Sequence, residues 1–309
     1  MALRKLIGPW SPSLILACAT LGGVVLHGSA VWAQSGPKSD DKPAFRVAER
    51  SSPNPEDPRA LLGAGQPNEH PLMPTLRWAS QGLLDIEKIQ DYSAIVVKQE
   101  RIDGKLNEPE YILTKVRHRP FSVYLRFLKP EDLKGQQSVY LGGAPGQKGK
   151  MWGHGSGFRK VFGWVPLDPT GPIAMKGNRY PITEIGLLNL VNRLVEVGEK
   201  DIKYGECEVK FYQGAKINDR SCTCIQVLHP KPRSNFLFHL ARIFVDDEIN
   251  LPIRYEAYDW PSKPGGPPEL TEEYTYLNLK LNNGFTDADF DIQNPEYGSR
   301  TARSARRER

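Results

Sequence analysis

No apolar run in the chain reaches the roughly 20 residues that a membrane-spanning helix needs, the longest being about 14 residues at 13–26. Cysteine is scarce: of four, Cys18 lies in that run, leaving Cys207, Cys222 and Cys224. A disulfide-dense scaffold is excluded, and an odd count leaves one thiol over. No His-x-x-x-His or Glu-x-x-His spacing occurs, and Cys222-x-Cys224 with His229 has no second Cys/His pair at zinc spacing. The loop Gly142-Gly143-Ala144-Pro145-Gly146 lacks the Lys-Ser/Thr that would hold a phosphate. Neither a metal nor any other cofactor is therefore expected. A basic body is also missing. Of the net +5, Arg4 and Lys5 supply two charges, and the last ten residues, with five arginines and Glu308, supply four. The remainder is close to neutral, which removes the main support for a nucleic-acid partner.

What is present falls into four parts. Residues 1–33 have a basic start, an apolar stretch and the small-x-small sequence Val31-Trp32-Ala33, the plan of a signal peptide cleaved after Ala33. Leu16-Ala17-Cys18 resembles a lipidation box but sits midway through the apolar stretch. Export to the periplasm or beyond is the expectation, with no transmembrane segment in the mature chain. Residues 34–74 are proline-rich and charged, without an apolar pattern, and read as a disordered linker. Residues 75–294 form the folded domain, and 295–309 a basic disordered tail suited to peripheral contact with an anionic envelope surface.

Within the domain, Leu76, Ala79, Leu83 and Ile86 recur at helical spacing, predicting an amphipathic helix over 75–89. A second helix is expected over 183–200, capped by Thr183 and weakened near its end by Gly198. About ten strands surround these helices, among them one in which Val123, Leu125 and Phe127 alternate with Tyr124 and Arg126, and the last with Leu277, Leu279 and Leu281 on one side. Asp103-Gly104 marks a tight hairpin, and the stretch 155–181 reads as irregular. Short turns imply antiparallel pairing, and so many strands curl rather than stay flat. The predicted fold is α+β, a strongly curved, unclosed antiparallel sheet wrapped around two amphipathic helices. If residues 217–220 form the hairpin turn, residue 224 faces about 213 and 222 faces about 215. A disulfide to Cys207 would then need a bulge or another strand order.

A concave apolar face is a site for acyl chains or apolar peptide. Leu83, Val123, Leu125, Phe127, Val209, Phe211, Ile253, Tyr255, Leu277 and Leu279 are its candidate lining, although the same alternation also describes a packed core. The helix over 75–89, tethered by the linker, is the expected lid, with Leu83 among its contacts. Trp152, Phe158, Phe162 and Trp164 suit either a flap over a cavity mouth or anchors of a loop. Asp246-Asp247-Glu248 suits an acidic turn or a calcium ligand set. Arg117-His118-Arg119 suits a solvated strand end or a headgroup contact. Gly153-His154-Gly155-Ser156-Gly157 echoes a nucleophile elbow but lacks the following helix that motif requires. No catalytic residue is assigned.

The runs Val97-Lys98-Gln99-Glu100, Lys115-Val116-Arg117-His118-Arg119-Pro120-Phe121 and Ile243-Phe244-Val245-Asp246-Asp247, with Leu251-Pro252-Ile253-Arg254-Tyr255-Glu256 and Tyr274-Thr275-Tyr276, resemble the domain-of-unknown-function family numbered 1571. The resemblance covers about residues 76–297 and implies no activity. The order of helix, strands, basic-Pro-aromatic strand, helix and meander resembles, more distantly, the lipoprotein carriers LolA and LolB and the sensor RseB. That resemblance implies an unclosed barrel with a helical lid and a greasy cavity. Three functions are open at this point: a carrier or sensor of a lipid, acyl chain or lipoprotein; a non-enzymatic envelope adaptor; and a hydrolase using His154 or His229.

Overall fold

Strands with one apolar face must both bury that face and find backbone partners on either side. In the computed structural model, which describes residues 68–143 and 146–298, one antiparallel sheet meets both needs. The described residues belong to a single compact unit. The expected leader, most of the linker and the tail beyond residue 298 lie outside them. The strands are β1 (Asp91–Ile102), β2 (Lys105–Leu106), β3 (Glu110–Arg117), β4 (Ser122–Lys129), β5 (Gln137–Leu141), β6 (Lys150–His154), β7 (Trp164–Leu167), β8 (Glu208–Ile217), β9 (Arg220–Leu228), β10 (Leu240–Asp246), β11 (Pro252–Asp259) and β12 (Glu269–Leu281). The helices are α1 (Met73–Ile86), α2 (Pro172–Met175) and α3 (Leu187–Asp201).

The strand order is β7-β6-β5-β4-β3-β1-β12-β11-β10-β9-β8, with β2 paired to β1 across the Asp103-Gly104 turn. Two meanders are thus joined where β1 pairs β3 on one side and β12 on the other. Strands β7 and β8 are the two outer strands of this order, so the sheet is unclosed among the described residues. β7 falls in the stretch expected to be irregular, where Pro166 and its short length hide the alternation. Cys222 lies opposite Ala215 as expected, but Cys224 lies opposite Tyr212, because a bulge at Gln213-Gly214 adds a residue to β8. All three cysteines are free, and burial pushes Cys207 up to about 11 and Cys222 and Cys224 up to about 12.

Between β7 and β8 the chain crosses from one edge of the sheet to the other, carrying α2 and α3. The start of α3 is not capped by Thr183. Gly186 occupies that position at a φ of 104°, and the Tyr92 hydroxyl of β1 accepts a hydrogen bond from the Leu187 N–H at 2.9 Å. A Cβ on Gly186 would stand 2.9 Å from that hydroxyl, so only glycine fits. Gly198 does not end α3, which runs on to Asp201. A Cβ there would meet Leu76 Cδ2 at 2.7 Å, so the glycine lets α1 seat against α3. α1 adds Leu76 and Trp78, and Leu72 just before it, to a core with Ile225, Val227, Ala241, Ile243 and Tyr255, and the Trp78 indole donates to Asn250 Oδ1 at 3.0 Å.

On the opposite face, the segment after β12 folds back over β3, β4 and β5. The buried Asp91 carboxylate accepts the backbone N–H groups of Asn283, Gly284 and Phe285 at 2.6–3.0 Å. Phe290 and Tyr297 are buried, and Tyr297 stacks on Tyr124 with ring centroids 3.9 Å apart. Tyr124, expected to face outward, is therefore buried. The boundary expected after residue 294 falls inside this strap. No helix among the described residues is long and apolar enough to cross a membrane.

Removing the Tyr92 hydroxyl leaves the Leu187 N–H buried and unpaired, a loss of about 1–3 kcal/mol. Tyr92→Phe is expected to lower stability by that amount in urea unfolding, with native circular dichroism retained before the transition.

Candidate functional site

Between the sheet and the crossover lies a cavity of about 1440 Å³, larger than the roughly 300–1,000 Å³ of ordinary small-molecule pockets. Its wall takes side chains from β1–β7, β11 and β12. Laid flat, the eight strands from β7 to β11 would span roughly 35 Å, so the sheet curls for all of them to reach one space. The inner floor is apolar, with Val96, Ile112, Leu125, Phe127, Met151 and Tyr276. The roof comes from the crossover: Ile173, Ala174, Ile182 and Ile185, then Leu190, Leu194 and Val197 of α3.

One part of the wall is charged, and strand register puts it there. Glu110 lies opposite Lys98, Lys98 opposite Tyr274 and Tyr274 opposite Tyr255, while Glu100 lies opposite Glu272 in the next inward row. The Lys98 ammonium stands 2.9 Å from Glu110 Oε2 and 3.6 Å from Glu100 Oε2, and donates to Asn178 Oδ1 at 2.6 Å. Arg179 closes over the same cluster. Its backbone N–H donates to Glu100 Oε2 at 3.0 Å and its Nε stands 3.1 Å from Glu272 Oε2. The Tyr274 hydroxyl donates to Glu100. Burial raises the carboxyls of Glu272 and Glu110 above the ordinary glutamate range, while Arg179 and Lys98 respectively pull them back. Burial likewise pushes the Tyr180 phenol up to about 12 and holds Tyr255 and Tyr274 well above the usual tyrosine value. These groups pin the roof to the floor and give an apolar cavity one polar pole. The signal for it was present in the sequence: Lys98 and Glu100 share the inward phase of Val96, and Glu272 that of Tyr274 and Tyr276.

Of the ten candidate lining residues named from sequence, Leu125, Phe127 and Tyr255 line this cavity, and so do Phe158, Phe162 and His154 from the segment after β5. Val123 and Ile253 are fully buried in the core beside it, and Leu83 and Leu279 pack against that core half-buried. Val209 and Phe211 pack against the α1 side of the molecule. Leu277 is on the other face from Leu279 and Leu281, because a bulge at Asn278 breaks the alternation. α1, the expected lid, contributes no side chain to the cavity wall among the described residues. It flanks a separate space of about 90 Å³ against α3 and β9–β11. The covering element is the crossover.

Several other candidates make structural contacts. Ser156 donates to the Asp132 carbonyl at 2.8 Å, and His154 lies against Trp164 with ring centroids 5.3 Å apart. The Asp246 carboxylate accepts from Arg220, Glu248 N and Ile249 N, which closes the acidic turn. Arg117 pairs with Asp287 of the strap at 2.7 Å and covers the Phe290 ring.

The model of one family, the proteins of unknown function called DUF1571, matches residues 89–299. The chain belongs to this family. Comparison with curated proteins gave no match. Among solved structures, the chain is similar to the lipoprotein LppX of Mycobacterium tuberculosis at 12% identity and a TM-score of 0.40, over 70% of this chain and 97% of that one. A DUF1329 family protein from Desulfovibrio piger matches at 15% identity and a TM-score of 0.35, over 72% and 98%. A LolA superfamily protein from Nitrosomonas europaea matches at 11% identity and a TM-score of 0.25, over 69% and 97%.

Within the family segment, a second buried titratable pair lies away from the cavity. His229 is fully buried, stacked on Phe236, with Nε2 3.4 Å from Asp201 Oδ2. Its Nδ1 faces the Phe238 carbonyl at 3.0 Å, which only accepts, so Nδ1 carries the proton and Nε2 presents a lone pair. Burial lowers the imidazole and pushes the Asp201 carboxyl up to about 6, at the end of α3 where the helix dipole also disfavours negative charge. A protonated Asp201 can donate to Nε2. Between about pH 6 and the ordinary 3.8, the folded chain holds a proton at Asp201 that the unfolded chain releases. Stability from this group therefore rises as pH falls through that window, while His229 acts in the opposite sense. Asp201→Asn imitates the protonated acid. Its melting temperature is expected above the wild type's at pH 7.5, with the gap narrowing toward pH 5. Calorimetry showing a less stable variant at pH 7.5 would refute this.

Proposed function

We propose that this is an exported carrier or sensor that takes an apolar ligand, a lipid, acyl chain or lipoprotein, into the cavity under the crossover. The observation that carries the reading is the cavity itself: a space of about 1440 Å³ with an apolar floor and roof. Packed cores hold few voids larger than a water molecule, and an apolar space of this size is stabilised by filling it. Leu125, Phe127 and Tyr255 are the sequence-named residues that would touch the ligand, and the pole at Lys98, Glu100, Glu272 and Arg179 would meet a polar end group. In this reading the domain is a half-barrel of the LolA kind wrapped on α1 and α3. Residues 1–33 are its removed leader, 34–74 its linker, and 295–309 a basic end reaching an anionic envelope surface. The crossover, rather than α1, parts from the sheet to admit the ligand, and the charges that pin it set how easily it does so.

The test is binding of a fluorescent fatty acid to delipidated protein. The wild type should bind with a saturable fluorescence change. Leu125→Trp, which fills the floor, should weaken binding roughly tenfold or more without lowering the melting temperature. Native mass spectrometry of protein purified from its own envelope should show a co-purifying lipid or acylated mass. Absence of both binding and co-purifying mass would overturn the carrier reading in favour of an envelope adaptor.

A further inference from the structure

Large apolar side chains are seldom left exposed together on a soluble protein, yet here they cluster. Of eight exposed among the described residues, Phe158, Phe162, Val165, Ile173 and Leu237 line the cavity, and Val161 shares a 3-10 turn with the first two. Phe158 is 81% exposed, Ile173 76% and Phe162 71%. Side chains that line a cavity and also face solvent to this extent stand at its mouth. Topology agrees, because β6 ends, β7 begins, β9 ends and β10 begins at this end of the sheet. The apolar ring is interleaved with cations. Arg159 and Lys160 lie between Phe158 and Val161, and Lys176 follows α2; all three are exposed and none joins an ion pair among the described residues.

We infer that this mouth seats on an anionic phospholipid surface, with Phe158, Val161, Phe162 and Ile173 entering the headgroup–acyl boundary and Arg159, Lys160 and Lys176 meeting lipid phosphates. The inference deepens the carrier reading and rests on it. Aromatic and aliphatic side chains alternating with basic ones are the composition of interfacial segments, and cations near such a surface are drawn by its negative potential. The ring is continuous with the apolar cavity wall. Seated on a bilayer, the mouth would give an acyl chain an unbroken apolar path, whereas a mouth open to water would force the chain across it.

Vesicle co-sedimentation of the full mature chain tests this, comparing phosphatidylcholine alone with phosphatidylcholine mixed with phosphatidylglycerol. The wild type should bind the mixed vesicles, less so as salt rises. Lys160→Glu with Val161→Ser, neither residue lining the cavity, should lower vesicle binding about tenfold while fatty-acid binding in solution and the melting temperature stay unchanged. Phe158→Ser should lower vesicle binding as well. Vesicle binding that is absent, indifferent to phosphatidylglycerol or unaffected by these substitutions overturns the docking surface. So does sedimentation showing that the same residues instead join two copies of the chain. Intact vesicle binding without fatty-acid binding upholds the docking surface and removes the carrier reading alone.

Discussion

Strands β7 and β8 follow one another in sequence yet form opposite edges of the sheet, so the chain between them must travel the sheet's whole width. A crossing of that length cannot be held by local hydrogen bonds alone. It needs anchors from the sheet beneath, and the sheet supplies them in two kinds. Tyr92 takes the first N–H of α3, and the inward charges of β1 and β12 take Asn178 and Arg179. The apolar residues on either side of these anchors roof the cavity, and those of the sheet floor it.

The sheet's own continuity rests on β1. Being paired on both sides, it joins the meander of β3–β7 to the meander of β8–β12, and its first residue holds the terminal strap. On the strap's face, Lys115 pairs with Asp289 at 3.1 Å and Tyr297 covers Tyr124. On β9–β12 the outward face carries a cross-strand row instead: Gln226, Arg242, Glu256, Arg254, Glu273 and Thr275, linked at 2.6–3.3 Å. Both halves thus cover the outer side of the sheet with side chains of their own, and the inner side is left to helices and cavity.

How much of this was legible follows from the range of the forces involved. The strand with Val123, Leu125 and Phe127 is β4, legible because alternation is written locally, and the Asp103-Gly104 turn was legible for the same reason. Thr183 was a reasonable cap, but the actual partner, Tyr92, lies 95 residues away. Tyr124 looked like an outward residue because its cover arrives from the far end of the chain. Leu277 was placed with Leu279 because a single bulge at Asn278 leaves no mark in an apolar pattern. In the candidate site, the apolar wall at Leu125, Phe127 and Tyr255 was readable. The polar pole was not read, since its members come together only through register, although each sits in phase with inward apolar neighbours.

An unclosed sheet has two free borders, each a row of unpaired amide and carbonyl groups onto which a strand from another molecule can add. Both borders here are poor templates. β7 is four residues long and contains Pro166, which has no N–H to offer. β8 carries the exposed charges Glu208, Lys210 and Lys216, and its bulge at Gln213-Gly214 interrupts the regular spacing of its backbone. The irregularity that displaced Cys224 from its expected partner therefore also discourages fibril-like stacking on the β8 border.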